Sequence, residues 1–146
     1  MDIGIDFGIS NIDVAIKIKG EIRFCTFISS DESISDKFHN VINKLDIALP
    51  EIKNIAVTGG KSSDLPDVFR SASITKVNEV MAIGHGAKDI YSIQENSFVV
   101  VSAGTGTACI NYQDNNFHHL GGISVGGGSL QGLANLLINT SDAHEI

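Results

Sequence analysis

The chain has 146 residues, 42% of them hydrophobic and 18% charged, with 17 acidic and 10 basic residues and a net charge of −7. This composition is typical of one globular domain, and the acidic balance argues against nucleic acid as a partner. No apolar run reaches the ~20 residues that span a bilayer, and the start of the chain has no basic leader segment, so we expect neither a membrane partner nor secretion. Cys25 and Cys109 form no CxxC pair, which favours a cytoplasmic location.

The first half of the chain predicts strands and helices in a mixed order. Alternating apolar residues indicate three strands, at about 3–7, 14–18 and 22–24. A helix of about 12 residues follows from near Asp36, with Ser35 as its cap. Strands at 55–57 and 73–77 come next. A second helix is predicted from about Asn78 to Tyr91, and its inward residues are Val80, Ile83, Ala87 and Ile90.

The second half repeats the opening pattern. Strands are predicted at 98–101, 108–112 and 117–120, followed by a helix that carries Leu130, Leu133 and Leu137. A strand, a polar turn, two more strands and a helix therefore occur twice, starting at residues 3 and 98. This duplicated βββα pattern predicts a complete first lobe at residues 1–96 and the beginning of an incomplete second lobe at residues 97–146.

Glycine-containing turns at the ends of three predicted strands are the strongest functional signal. Asp6 ends a buried strand beside Gly8, where a carboxylate can hold Mg²⁺ through water and turn N–H groups can bind phosphate oxygens. Residues 104–107 form a similar turn with two threonine hydroxyls, and residues 58–60 form a third. Each turn alone is compatible with an ordinary hairpin. Three of them, two in equivalent positions of a repeat, indicate phosphate binding.

These residues resemble the type II pantothenate kinases, within the superfamily of acetate and sugar kinases, Hsp70 and actin. The resemblance spans essentially the whole chain. The two phosphate motifs of that family match residues 4–10 and 104–108, its TGG turn matches residues 58–60, and its catalytic glutamate matches Glu79. The most specific part is a long glycine signature, matched by Gly121-Gly122, Gly126-Gly127-Gly128 and Gln131-Gly132-Leu133.

The resemblance implies an α/β protein with an actin-like ATPase (ribonuclease H-like) fold, in which helices flank mixed sheets and the nucleotide lies in the cleft between two lobes. It also implies a function for the intact protein, which is ATP-dependent phosphorylation of pantothenate to 4'-phosphopantothenate, the first step of coenzyme A biosynthesis. The implied cofactors are ATP and Mg²⁺.

The resemblance also assigns roles to individual residues. Asp6 would orient Mg²⁺ and its water shell, and Glu79 would be the general base on the substrate hydroxyl. The residues expected to hold the β- and γ-phosphates are Gly8, Ser10, Gly104, Thr105 and Gly106. The residues expected to bind the substrate are Thr107, His119 and Gly121.

Three residues depart from the family pattern. Ile9 replaces a glycine of the first motif, and Asp13 replaces a lysine, so a positive charge near the phosphates is lost. His119 stands where an arginine contacts the pantothenate carboxylate, and histidine lacks the bidentate fork of arginine. These departures bear on the identity of the substrate more than on the fold.

Two alternatives to the pantothenate kinase interpretation stay open. One is another enzyme of the superfamily, such as a dehydratase activator or an N-acetylhexosamine kinase. The other is a non-catalytic, actin-like interaction module. The incomplete second lobe further predicts that this chain alone is inactive and that it forms a homodimer or pairs with a complementing C-terminal fragment.

Overall fold

A computed structural model describes residues 1–140 and Asp142, and its contacts divide the chain into two units. The first unit is Met1–Glu79, and the second comprises the residues from Val80 onward. This division falls earlier in the chain than the predicted end of the first lobe at residue 96. None of the helices in the described part of the chain is long and apolar enough to cross a bilayer.

The first unit is a six-stranded mixed sheet with one long helix. Its elements are β1 (Asp2–Phe7), β2 (Asn11–Ile18), β3 (Glu21–Ile28), α1 (Ile34–Lys44), β4 (Asn54–Thr58), β5 (Val68–Phe69) and β6 (Ala72–Lys76). The strand order is β3-β2-β1-β4-β6-β5. Strands β1, β4 and β6 run parallel to one another, and the other pairs are antiparallel. The predicted strands are therefore present, and β5 is an additional short edge strand.

Alternation along β1 determines which side of the sheet is buried. Ile3, Ile5 and Phe7 point into the core, where they belong to the same cluster as Phe38 and Ile42 of α1. Because neighbouring side chains of a strand point to opposite faces, Asp2, Gly4 and Asp6 lie on the other face. The core of the first unit therefore orients the polar end of β1.

The N-cap of α1 differs from the predicted one. The cap is Ser33 rather than Ser35, and its hydroxyl oxygen accepts a hydrogen bond from the backbone N–H of Asp36 at 3.2 Å. The Ser33 hydroxyl also donates to the Asp36 carboxylate at 2.6 Å. An acidic side chain at the third helical position strengthens an N-cap of this kind, and Ser35 has no such partner in sequence.

The second unit is a three-stranded antiparallel sheet with a helix against it. Its elements are α2 (Glu79–Ile90, whose first residue belongs to the first unit), β7 (Phe98–Ala103), β8 (Thr107–Gln113), β9 (Asn116–Ile123) and α3 (Gly127–Ile138). The strand order is β7-β8-β9. Val80, Met81 and Ile83 of α2 pack against the buried residues Ile110, Tyr112 and Phe117.

The face of α2 that packs on the sheet contains Val80 and Ile83, as predicted, but not Ile90. Ile90, predicted to point inward, is 68% exposed, whereas Gly84 is buried against the ring of Phe117. One turn later the Lys88 ammonium lies 4.1 Å from the centre of the Tyr112 ring and donates to the Tyr112 hydroxyl at 2.8 Å. Apolar periodicity alone does not predict that a glycine and a lysine also belong to this face.

Apolar side chains remain exposed on the second unit. They include Val99 and Val101 of β7, Leu120 and Ile123 of β9, and Leu130, Leu133, Leu136, Leu137 and Ile138 of α3. The helix predicted to carry Leu130, Leu133 and Leu137 is therefore present, and only its Ala134 is buried.

Candidate functional site

A row of polar side chains crosses the first sheet near the C-terminal end of β1. Asp6 pairs with Thr58 of β4 on one side and with Asp13 of β2 on the other, and Asp13 pairs in turn with Thr26 of β3. Residues that face each other across a ladder share a face of the sheet, so all four side chains project to the same side. The Thr26 hydroxyl donates to Asp13 Oδ1 at 2.6 Å.

Asp6 lies in an environment that disfavours its charge. Burial raises the pKa of the Asp6 carboxyl, and the nearby carboxylates of Glu79 and Asp13 raise it further. A half-buried carboxylate with acidic neighbours is the kind of group that a cation would stabilise. The effect of Glu79 also shows that the predicted general base and the predicted Mg²⁺-orienting residue are close to each other.

The TGG turn at residues 58–60 is shaped to fit around β1. Gly59 has φ +72° and Gly60 has φ +41°, a region that favours glycine. A Cβ atom at Gly59 would collide with Asp6 Oδ1 and would lie 2.8 Å from the carbonyl oxygen of Phe7. The turn therefore closes directly on the Asp6 carboxylate, and a larger residue at position 59 would displace it.

Thr58, which begins this turn, has an unusual hydroxyl. The residue is only 9% exposed, and its Oγ1 is buried without a hydrogen-bond partner. Buried hydroxyl groups nearly always have a partner, so each exception requires an explanation. In the sequence, Thr58 is recognisable only as part of a turn. A threonine between a buried strand and two glycines was the available signal for a functional role.

The first phosphate motif forms the connection between β1 and β2. A Cβ atom at Gly8 would lie 2.7 Å from the carbonyl oxygen of Asn11, which makes this turn too tight for a larger residue. The backbone carbonyl of Ser10 accepts a hydrogen bond from the N–H of Ser29 at 2.9 Å. Ile9, where the family has glycine, is 83% exposed and so is accommodated without a steric conflict.

Glu79 is the first residue of α2, as predicted. An acidic residue in the first turn of a helix is also favoured by the helix dipole, so its position alone does not identify a catalytic group. The helix dipole accounts for an acidic residue at the start of α2, but it does not account for the proximity of Glu79 to Asp6. That proximity is the additional observation in favour of a functional role.

The second phosphate motif lies at the N-terminus of α3. The N–H of Gly104 donates to the carbonyl of Gly106 at 2.8 Å, and the N–H of Gly128 donates to the carbonyl of Gly104 at 3.4 Å. A Cβ atom at Gly126 would lie 2.6 Å from the Gly106 oxygen. The glycines of residues 126–128 thus let the helix start directly against the turn. Helix N-termini of this kind favour phosphate groups.

The predicted substrate residues of the second unit lie on β8 and β9. Thr107 donates its hydroxyl hydrogen to the Val125 carbonyl at 2.8 Å. His119 is exposed and pairs with Ile110, and Gly121 pairs with Cys109, with a register shift between these two pairs. The structure thus places Asp6, Gly8, Ser10 and Glu79 in the first unit, and it places residues 104–107, His119 and Gly121 in the second.

The donors at the end of β1 fit a Mg²⁺ ion that keeps its water shell. Among the described residues, no three His, Cys, Asp or Glu side chains are grouped closely enough to ligate a metal together. Magnesium usually retains several waters and uses only one or two carboxylates. The Asp6 carboxylate, half-buried and beside another acid, matches that requirement.

Solved structures define the class of fold. The chain superposes on an activator of 2-hydroxyisocaproyl-CoA dehydratase from Clostridium difficile, solved with bound ADPNP, with a TM-score of 0.67 at 20% identity over 98% of this chain and 53% of that one. It superposes on the ethanolamine utilization protein EutJ from Carboxydothermus hydrogenoformans with a TM-score of 0.63 at 13% identity, over 98% of this chain and 59% of that one. The predicted actin-like ATPase fold is confirmed.

Curated relatives give the narrower similarity. The chain is 31% identical over 149 aligned residues to a type II pantothenate kinase of Bacillus cereus strain AH820, covering 99% of this chain and 51% of the relative. It is 30% identical over 143 residues to a type II pantothenate kinase of Oceanobacillus iheyensis, covering 95% of this chain and 50% of the relative. The chain is thus homologous to type II pantothenate kinases, as its motifs indicated.

The length of the match limits what the similarity carries. The chain spans about half the length of the curated relatives it matches. No protein-family model matches it. These comparisons therefore establish the fold and the homology, but they do not establish the activity of the whole protein.

Proposed function

We propose that the intact protein phosphorylates pantothenate with ATP, which is the first step of coenzyme A biosynthesis. The observation that carries the proposal is the proximity of Glu79 to Asp6 at the C-terminal end of β1, where burial and the Glu79 carboxylate raise the pKa of Asp6. Homology to type II pantothenate kinases supports pantothenate as the acceptor.

Phosphoryl transfer needs positioning and charge stabilisation more than covalent chemistry. When bound, ATP supplies the γ-phosphoryl group and Mg²⁺ offsets the charge of the phosphates. Asp6 holds the ion through its water shell. The turns that contain Gly8, Ser10 and residues 104–106 bind phosphate oxygens through backbone N–H groups and hydroxyls.

Glu79 acts as the general base. One of its carboxylate oxygens accepts the proton of the pantothenate primary hydroxyl while the oxygen of that hydroxyl bonds to the γ-phosphorus. The bond from the γ-phosphorus to the β–γ bridging oxygen breaks, so the products are phosphopantothenate and ADP. His119, Thr107 and Gly121 contact the acceptor, and His119 donates a hydrogen bond to its carboxylate.

The test is Glu79→Gln in the intact protein. Loss of a general base lowers kcat by about 10²–10⁴-fold. The affinity for ATP should change little, because Glu79 acts on the acceptor. Coupled measurement of ADP release with and without pantothenate gives the rate, and Glu95→Gln, the same change in the loop after α2, serves as the control.

The outcome also separates the alternatives. ATP hydrolysis that does not depend on pantothenate supports another ATPase of the superfamily, and nucleotide binding without turnover supports an interaction module. A Glu79→Gln variant that retains most of the wild-type rate removes Glu79 from the mechanism.

A further inference from the structure

The row of side chains at the end of β1 has one feature that the proposed kinase mechanism does not use. We propose that Asp13 and Thr58 join Asp6 in binding a divalent cation, which extends the proposed function because that function assigns the ion to Asp6 alone. The expected ion is Mg²⁺, or Mn²⁺ in its place.

The register of the sheet places the three oxygen donors side by side. Asp6 faces Asp13 on the neighbouring antiparallel strand and Thr58 on the neighbouring parallel strand. Directly opposed residues of an antiparallel pair have Cβ atoms about 4.5–5.5 Å apart. Two carboxylates at that spacing can share one ion, either directly or through its waters.

The charges of Asp6 and Asp13 also favour a bound cation. Like charges directly opposite each other destabilise a sheet. The ion pair recorded in the described part of the chain joins Lys76 to Asp67 and involves neither Asp6 nor Asp13. The hydrogen bond from Thr26 orients Asp13 without neutralising it. A divalent cation would remove the repulsion.

Thr58 is the independent observation that points to a ligand. Its hydroxyl is buried on the same face as Asp6, and it has no partner. A hydroxyl can accept from a water bound to the cation or contribute an oxygen ligand, which would satisfy it.

Asp13 places a negative charge at a position next to the predicted phosphate-binding turn. The family pattern has a lysine here, which contributes a fixed positive charge toward phosphates. With a carboxylate in its place, a bound cation would supply positive charge at this position. This chain should therefore bind divalent cations before any nucleotide is present.

The experiment is a titration of the 146-residue chain with Mn²⁺, without nucleotide or pantothenate, in which electron paramagnetic resonance measures the free ion. Asp13→Asn should weaken Mn²⁺ binding by about tenfold or more, the range for altered metal-site partners. Thr58→Val should weaken it by a smaller factor, and Thr58→Ser should restore it. Asp2→Asn, at the opposite end of β1, should leave it unchanged.

Circular dichroism melting confirms that each variant is folded. Asp13 is exposed, so its replacement should not disturb the core. Wild-type chain that binds no Mn²⁺, Asp13→Asn with unchanged affinity, or Asp2→Asn with an equal loss would each overturn the proposal. Because the assay contains no substrate, Asp13-dependent binding in a protein that fails to phosphorylate pantothenate would support this site and reject the kinase function.

Discussion

Two glycines in α2, Gly84 and Gly86, provide a test of how this helix packs against Phe117. A Cβ atom at Gly84 would collide with the Phe117 ring and would lie 2.7 Å from Cγ of that ring, whereas a Cβ atom at Gly86 would meet nothing within 4 Å. The Phe117 ring has little freedom to move, because the rings of Tyr112 and His85 each lie 4.8 Å from it. Gly84→Ala and Gly86→Ala therefore make the same chemical change in two different environments.

The magnitudes follow from two opposing effects. Replacing glycine by alanine within a helix stabilises it by about 1 kcal/mol, and both variants gain this. Gly84→Ala additionally overpacks a closed site, which costs about 1–3 kcal/mol. The propensity gain cancels in the comparison, so the difference between the two variants measures the steric cost alone. We expect Gly86→Ala to be more stable than wild type, and we expect Gly84→Ala to be no more stable than wild type.

Thermal unfolding of the two variants, followed by circular dichroism, measures this difference. For a chain of this size, 1 kcal/mol corresponds to about 2–4 °C in Tm, so the variants should differ by at least about 2 °C. Equal melting temperatures would mean that α2 does not pack on β9 through Gly84, and the buried face assigned to this helix would be wrong.

Three further predictions concern the site and the assembly. Without divalent cations, Asp6→Asn should raise Tm at neutral pH by the few degrees typical of a stabilising substitution, about 0.5–2 kcal/mol, because the raised pKa means that the charged carboxylate destabilises the fold. The gain should disappear as the pH falls toward 3.8, the ordinary pKa of an aspartate carboxyl. An Asp6→Asn variant that melts at a lower temperature than Asp2→Asn at neutral pH would contradict this prediction. His119→Arg in the intact protein should leave the KM for pantothenate unchanged or lower it about five- to thirtyfold, since a charged hydrogen bond contributes about 1–2 kcal/mol more. His118→Arg is the control. Loss of activity in His119→Arg but not in His118→Arg would argue for another acceptor. The 146-residue chain alone should self-associate in light scattering and should not hydrolyse ATP, and a monomer with turnover would refute the predicted incomplete second lobe.

Sequence patterns predicted the first sheet well because burial and strand geometry agree there. The alternation of Ile3, Ile5 and Phe7 is unambiguous, and the glycines after β1 and β4 end those strands at the site. The position of Glu79 at the start of α2 was predicted from the family pattern and is present. What sequence could not provide was the register that sets Asp13 and Thr58 on either side of Asp6, because pairing depends on strands distant in the chain.

The misassigned details have a common physical cause. The α1 cap depended on a side-chain interaction between Ser33 and Asp36, which hydrophobic periodicity does not report. The inward face of α2 depended on Gly84 accommodating the Phe117 ring, and a glycine carries no apolar signal of its own. In both cases the sequence pattern was compatible with two local structures, and a specific side-chain contact determined which one formed.

The two units differ in the size of their hydrophobic cores. In the described residues the core of the first unit contains sixteen buried hydrophobic residues, and that of the second contains Ile110, Tyr112 and Phe117. Burial of apolar surface is the main stabilising contribution to folding, so the first unit has the larger basis for independent stability. The second leaves leucines of α3 exposed, as expected for a surface that requires a further layer. The proposed cation binding at Asp6 and Asp13 depends on the first unit and should therefore be measurable on this chain. The proposed phosphoryl transfer would also use the turn at residues 104–106 of the second unit, so we expect it only in the intact protein.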